Sequence, residues 1–219
     1  MMSFIKKLIR FLTTKKYIVK KRYVFYTDIF ALELPESYSE PDNFSDSFFD
    51  FKKKSKAQLK ELLADIVPEY RLKRYVKRYD DPDMWEVIFA YINQKPVACY
   101  WYLKIPNSAF RFDSFIHEDN QILLGSAYVK GEMRGKGINK LLRSKVAKKI
   151  KECYPERLPL SIIEAKNHHS LKSVKVNGVK LFGTNYLIKF LGKNIFSLFK
   201  DMNGKWKVWF LPLYKQTHY

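Results

Sequence analysis

The sequence has little of several things. Its 219 residues include two cysteines, Cys99 and Cys153, far apart and each inside an apolar run. So small a supply argues against a disulfide scaffold or a paired-cysteine metal site, and reads as buried free thiols in a reducing compartment. The four histidines, His117, His168, His169 and His218, show no HExxH spacing. The adjacent pair would project to opposite faces of a strand, or diverge by about 100° on a helix. No metal centre is expected. No apolar run approaches the roughly 18–20 residues of a spanning helix. No small-residue cleavage site follows a long apolar core, so a cleaved signal peptide is not expected. Acids are also scarce: 22 Asp and Glu stand against 41 Lys and Arg, a formal net charge of +19. That surplus implies an anionic partner, whether phosphate-rich ligand, nucleic acid or membrane, without choosing among them.

What is present is core material. Hydrophobic residues make up 47% and aromatic residues 16% of the chain, which suits one domain with an extension and argues against disorder. Residues 1–22 carry eight Lys and Arg and no acid. Phe4, Ile5, Leu8, Ile9 and Leu12 recur at helical spacing among Lys6, Lys7 and Arg10. This pattern of a basic amphipathic helix fits contact with an anionic membrane surface, and equally a solvated or core-docked terminal helix. The domain proper is read from residue 23 to 219.

A first strand is expected over 23–34, and an acidic loop with two prolines over 35–50. Leu59, Leu62, Leu63 and Ile66, then Leu72, Tyr75, Val76 and Tyr79, predict two helices, the second opened by Pro68. Lys73, Arg74, Lys77 and Arg78 on the second read as a solvated helix surface rather than a nucleic-acid surface. From residue 85 the period changes to that of strands: "WEVIFAYI", "VACYWYLKI" and "QILLGSAYV". A helix "INKLLRSKVAKKIKECY", a strand "LPLSIIEAK", a short helix after Asn167 and further strands complete the order. It describes an α/β mixed sheet with helices on its faces.

Between a strand and a helix stand Arg134, Gly135, Lys136, Gly137, Ile138 and Asn139. The glycines let a ligand approach the backbone. The first N–H groups of the helix lack intrahelical acceptors and sit at its positive end. A pyrophosphate suits such a place. The segment lacks the GKS or GKT of a Walker A loop and the third glycine of a dinucleotide fingerprint.

With these residues the sequence resembles the GNAT superfamily of acyl-CoA-dependent N-acyltransferases. Their pyrophosphate signature is Arg or Gln, two residues, Gly, one residue, then Gly or Ala; residues 134–138 fit and Asn139 replaces the last. Val129, five residues upstream, stands where the family's backbone pairs with the pantetheine arm. Asn167, Ser170 and Gly178 match a second signature, with Val179 where Phe is common. The resemblance implies a mixed sheet splayed between its fourth and fifth strands, with acetyl-CoA as cosubstrate in the gap. Residues 134–139 would hold the pyrophosphate; Val129, Asn167 and Ser170 would hold the pantetheine. An amine would attack the thioester carbonyl directly, a reaction helped by oriented backbone donors and by proximity.

The catalytic side chains depart from the family pattern. The positions of its tyrosine and two glutamates are Val174, Ile162 and Leu123. Glu164 shares a strand face with Ile162 and is the candidate base; Tyr128 and Tyr186 are candidate proton donors. The expected activity is an acetyl-CoA-dependent N-acetyltransferase acting on a primary amine of a small metabolite or amino sugar. It would be cytoplasmic, or peripheral at the inner face of the membrane through residues 1–22. The alternative is a GNAT-fold binding module without catalysis, acting at an anionic membrane or on nucleic acid. The aromatic C-terminal strands offer an edge for a homodimer.

Overall fold

The structure, a computed structural model, describes residues 17–27, 39–104, 110–112, 115–117, 120–174, 178–190 and 193–210. Nine strands form one sheet. In chain order they are β1 (Tyr17–Thr27), β2 (Phe44–Phe48), β3 (Trp85–Ile92), β4 (Lys95–Leu103), β7 (Gln121–Val129), β8 (Leu158–Glu164), β9 (Val179–Phe190), β10 (Lys193–Asp201) and β11 (Trp206–Phe210). A separate small hairpin pairs β5 (Phe110–Phe112) with β6 (Phe115–His117). The order across the large sheet is β11-β10-β9-β1-β8-β7-β4-β3-β2. Every pairing is antiparallel except β7 with β8.

That parallel pair runs only from Gln121↔Leu158 to Leu124↔Ser161. Beyond it the two strands part, which leaves residues 125–129 and 162–164 facing a gap. Counted from the β2 edge, this is the fourth-to-fifth strand splay that the sequence led us to expect. Just where the gap opens, β7 bulges. Its register against β4 shifts between Cys99↔Tyr128 and Trp101↔Gly125, and Ser126 is held at φ +63°. A non-glycine residue in that region costs about 1–2 kcal/mol, so the surroundings must hold it there.

Strand alternation divides the core. Ile88, Ala90, Ala98, Tyr100, Tyr102, Ile122 and Leu124 pack against helix α3 (Ile138–Cys153), which turns Ile138, Leu142, Val146 and Ile150 toward the sheet. Trp85, Val87, Phe89, Cys99, Trp101, Leu103 and Leu123 form the other face. It is covered by α1 (Lys56–Ala64) and α2 (Glu69–Val76), which a 3₁₀ turn extends over Lys77–Asp80. β4 is therefore buried on both sides. The start of α1 follows from a capping box: Ser55 Oγ accepts from the Gln58 N–H, and Gln58 Oε1 accepts from the Ser55 N–H. Asn93 and Gln94, at φ +49° and +65°, form the tight β3–β4 turn.

Several expectations change. β1 begins at Tyr17, not residue 23, and pairs with β9 from Tyr17↔Phe190 onward, so residues 17–22 belong to the sheet. Their Lys and Arg side chains hid a strand that packs on both faces, Val19 into one apolar cluster and Val24 into another on the opposite side. The membrane-contact helix expected over the N-terminal extension falls on residues 1–16, outside the described residues. The acidic stretch 35–50 contains β2, whose alternately exposed residues suit an edge strand. Cys153 is exposed rather than buried, at the end of α3, while Cys99 is buried and its thiol is pushed up to about 12 by that burial. Arg78 is fully buried rather than solvated.

Gly183 in β9 is required by space. A Cβ there would lie 2.4 Å from Phe199 Cζ and 2.5 Å from the Lys200 carbonyl oxygen. Gly183→Ala is expected to cost about 1–3 kcal/mol, because backbone cannot give way as a flexible side chain can. Chemical denaturation of the variant checks this.

Candidate functional site at the sheet splay

The loop after β7 makes a turn of 3₁₀ helix (Gly131–Met133) and then reaches Gly135 at φ +82° and Gly137 at φ +75°. Lys136 between them is not at positive φ. Positive φ at alternate residues is the backbone pattern from which anion nests are built. Gly137 is the N-cap of α3, and the first amides that donate to its carbonyl are Lys140 N–H (2.8 Å) and Leu141 N–H (3.1 Å). The Ile138 and Asn139 amides precede them at the positive end of a 16-residue helix. A Cβ on Gly135 would meet nothing within 4 Å, so the loop's outer side is open. Ile138 is buried in the core and anchors the loop. Asn139 Oδ1 is buried without a hydrogen-bond partner among the described residues. An open run of amides at the positive end of a helix fits a pyrophosphate-bearing ligand; the Asn139 oxygen, itself an acceptor, plays no part in that fit.

Arg134 turns back over the strand instead of outward. Its Nε donates to the Val129 carbonyl (3.2 Å) and its Nη2 to the Tyr128 hydroxyl (3.3 Å), with the guanidinium 5.6 Å from the Tyr128 ring centre. From the other helix layer, Arg71 of α2 lies 5.7 Å from the same ring. One tyrosine at the mouth of the gap thus carries two guanidinium groups.

Behind the bulge α2 supplies more. Arg71, Tyr75 and Arg78 fall on one face, and the second and third clamp Ser126. Tyr75 Oη donates to the Ser126 carbonyl (3.4 Å), and Arg78 Nη2 donates to Ser126 Oγ (2.8 Å). Arg78 lies 4.1 Å from the Trp85 ring, 4.7 Å from Tyr75 and 4.9 Å from Trp101. Its Nε and Nη1 have no hydrogen-bond partner among the described residues. Desolvation lowers its pKa to about 9, so it stays charged at neutral pH. No local pattern hints at this arrangement: a fourth base after Lys73, Arg74 and Lys77 looks like more helix surface, and only the position of β7 shows otherwise.

Across the gap, Glu164 ends β8. It shares a face with Ile162, since it pairs with Arg22 as Ile162 pairs with Val24. Ile162 packs into the α1–α2 side, so Glu164 and Tyr128 present to the same side of the sheet. Glu164 is exposed, and Lys20 Nζ holds its Oε1 at 2.9 Å. Asn167 is the N-cap of α4 (His168–Ser173), and its Oδ1 accepts from the Ser170 N–H at 3.1 Å. That leaves its Nδ2 end for a ligand. Tyr186 is two strands beyond β8, stacked on Trp206 at 6.1 Å, and belongs to another cluster. Val174 and Leu123 are buried, and Ile162 is half-buried. No cluster of potential metal ligands occurs among the described residues.

The structure thus gathers residues 129 and 134–139 on one side of the gap, with Glu164, Asn167 and Ser170 at the end of the facing strand. No protein-family model and no curated protein matches the chain. Solved structures do. A glucosamine N-acetyltransferase region of a fungal multidomain β-N-acetylglucosaminidase superposes with a TM-score of 0.59 at 14% identity, covering 84% of this chain and 23% of that one. A tandem GNAT protein from clavulanic acid biosynthesis gives 0.55 at 12% identity, covering 78% and 52%. A GCN5-related N-acetyltransferase from Sphaerobacter thermophilus gives 0.53 at 14%, covering 84% and 55%. The chain spans about half the length of the last two and about a quarter of the first. At such identities the likeness is one of fold.

Proposed function

The chain has the GNAT fold, and on that frame we propose that it is an acyl-CoA-dependent N-acyltransferase, with acetyl-CoA as donor and a primary amine of a small metabolite or amino sugar as acceptor. The observation that carries this reading is the nest at Gly135 and Gly137, set at the N-terminus of α3 and opening onto the splay. The amides of residues 134–139 hold the pyrophosphate there. The gap receives the pantetheine, with the Val129 backbone on one side and Asn167 Nδ2 and Ser170 on the other. The bulge at Ser126 presents backbone donors toward the thioester carbonyl, fixed in advance by Arg78 and Tyr75. Glu164 takes the amine proton through a water, with Lys20 holding one carboxylate oxygen. Tyr128, whose hydroxyl accepts from Arg134, is placed to return a proton to the departing thiolate.

The test is thiol release from acetyl-CoA with a panel of primary amines, for the wild type and Glu164→Gln. Turnover is expected in the wild type, reduced about 10²-fold or more in the variant with little change in coenzyme A affinity. Coenzyme A binding without turnover for any amine would favour the binding-module reading, which the apolar side chains at Val174, Ile162 and Leu123 also suit. Steep salt dependence of retention on anionic vesicles or DNA would then identify its partner.

A further inference from the structure

The chemistry around the bulge is one-sided. Within three residues of β7, from Ser126 to Tyr128, three guanidinium groups touch the strand: Arg78 on Ser126, and Arg71 and Arg134 on the Tyr128 ring. None of the three forms a salt bridge with an acid among the described residues; the ion pairs found there all use lysines. Arg78 is wholly buried, and among the described residues two of its nitrogens have no hydrogen-bond partner and no carboxylate pairs with it. Low dielectric around it extends its field toward the gap. Arg134 belongs to the pyrophosphate side of Tyr128. Arg71 does not: it comes from α2, the helix that walls the acceptor side of the sheet, and it is half-buried. Across the gap on that side stands Glu164 with Lys20.

We infer that the acceptor amine carries an anionic group, a phosphate or a carboxylate, and that Arg71 is the residue that binds it. This rests on the acyltransferase reading and names its acceptor class. Arg71 lies between two rings, 5.5 Å from the centre of Tyr70 and 5.7 Å from that of Tyr128, with the Tyr70 and Tyr75 hydroxyls beside it. These hold the planar guanidinium in place and leave some of its five N–H donors for an anionic partner. With Arg134 facing the donor's pyrophosphate, a neutral acceptor would leave the charges of Arg71 and Arg78 uncompensated beside the reacting carbonyl. An anionic one places its negative group at Arg71 and its amine toward Glu164, where acceptor and base are complementary.

Three matched pairs of amines test this by calorimetry on the full chain, with and without saturating coenzyme A: glucosamine 6-phosphate and glucosamine, O-phosphoethanolamine and ethanolamine, glycine and glycinamide. At least one anionic member is expected to bind about tenfold or more tightly than its neutral partner. In Arg71→Gln that preference should fall to about threefold or less, with Arg71→Lys between the two and coenzyme A affinity changed by less than about threefold. Thermal unfolding of both variants checks that they remain folded. Absence of a preference in every pair, or its survival in Arg71→Gln, overturns the inference. Loss of coenzyme A affinity in Arg71→Gln as large as in Arg134→Gln also overturns it, since Arg71 would then serve the donor's own phosphates. Failure of coenzyme A to bind the wild type strikes the proposed function instead, and the amine preferences measured without it still decide the role of Arg71.

Discussion

Arg78→Met is expected to leave stability within about 2 kcal/mol of the wild type while lowering acyl transfer about tenfold or more. Removing a guanidinium from water costs several kcal/mol even after relaxation. Against that stand three desolvated ring faces, up to about 2 kcal/mol each, and one charged hydrogen bond to Ser126 of about 1.5–3 kcal/mol. These nearly cancel, and methionine fills much of the same volume without the desolvation cost. Arg78→Ala removes the volume as well and should lose about 3–5 kcal/mol. Function responds differently. Ser126 sits at φ +63° and is held by Arg78 and Tyr75. Without the Arg78 clamp the bulge can relax, and backbone donors displaced by a fraction of an ångström lose their aim. Urea denaturation and thiol-release kinetics on the same preparations separate the two effects. If activity survives in a stable Arg78→Met, the bulge does not depend on this arginine.

The second large effect is expected at Gly137. Gly137→Glu should weaken coenzyme A binding more than about hundredfold, while the protein stays folded at a cost of about 1–2 kcal/mol. The φ of +75° is one that only glycine adopts cheaply. The added carboxylate would also occupy the side from which a phosphate approaches, and would repel it at the positive end of α3. Gly137→Ala isolates the conformational cost, since it strains the turn without adding charge. Calorimetry with coenzyme A reads both. An unchanged affinity in Gly137→Glu would remove the pyrophosphate assignment, and with it the main support for the proposed reaction.

Much of the architecture was legible in advance because periodicity reports burial. The shift from three- and four-residue spacing in Leu59–Tyr79 to two-residue spacing from Trp85 follows the passage from α1 and α2 to β3 and β4. The loop was legible because Gly135 and Gly137 adopt backbone conformations that few other residues tolerate. Where charge and strand coincide, the reading failed. "YIVKKR" looked like part of a basic extension and is the start of β1. Its alternation is masked by lysines and by Arg22, which is buried and donates to Asn185 Oδ1.

The sequence by itself determined α1 and α2, strands β3, β4 and β7, the succession α3, β8, α4 and β9, the paired glycines that open α3, and the apolar side chains at Val174, Ile162 and Leu123. Each is a property of one residue or of a short local run. Only the tertiary structure decided that β1 inserts between β8 and β9, that β7 and β8 part after Leu124 and Ser161, and that Arg71 and Arg78 belong to the site rather than to solvent. Those are relations between residues tens of positions apart, such as Arg78 and Ser126. They are set by how a helix packs across a bulged strand, and no local pattern of residues encodes that contact.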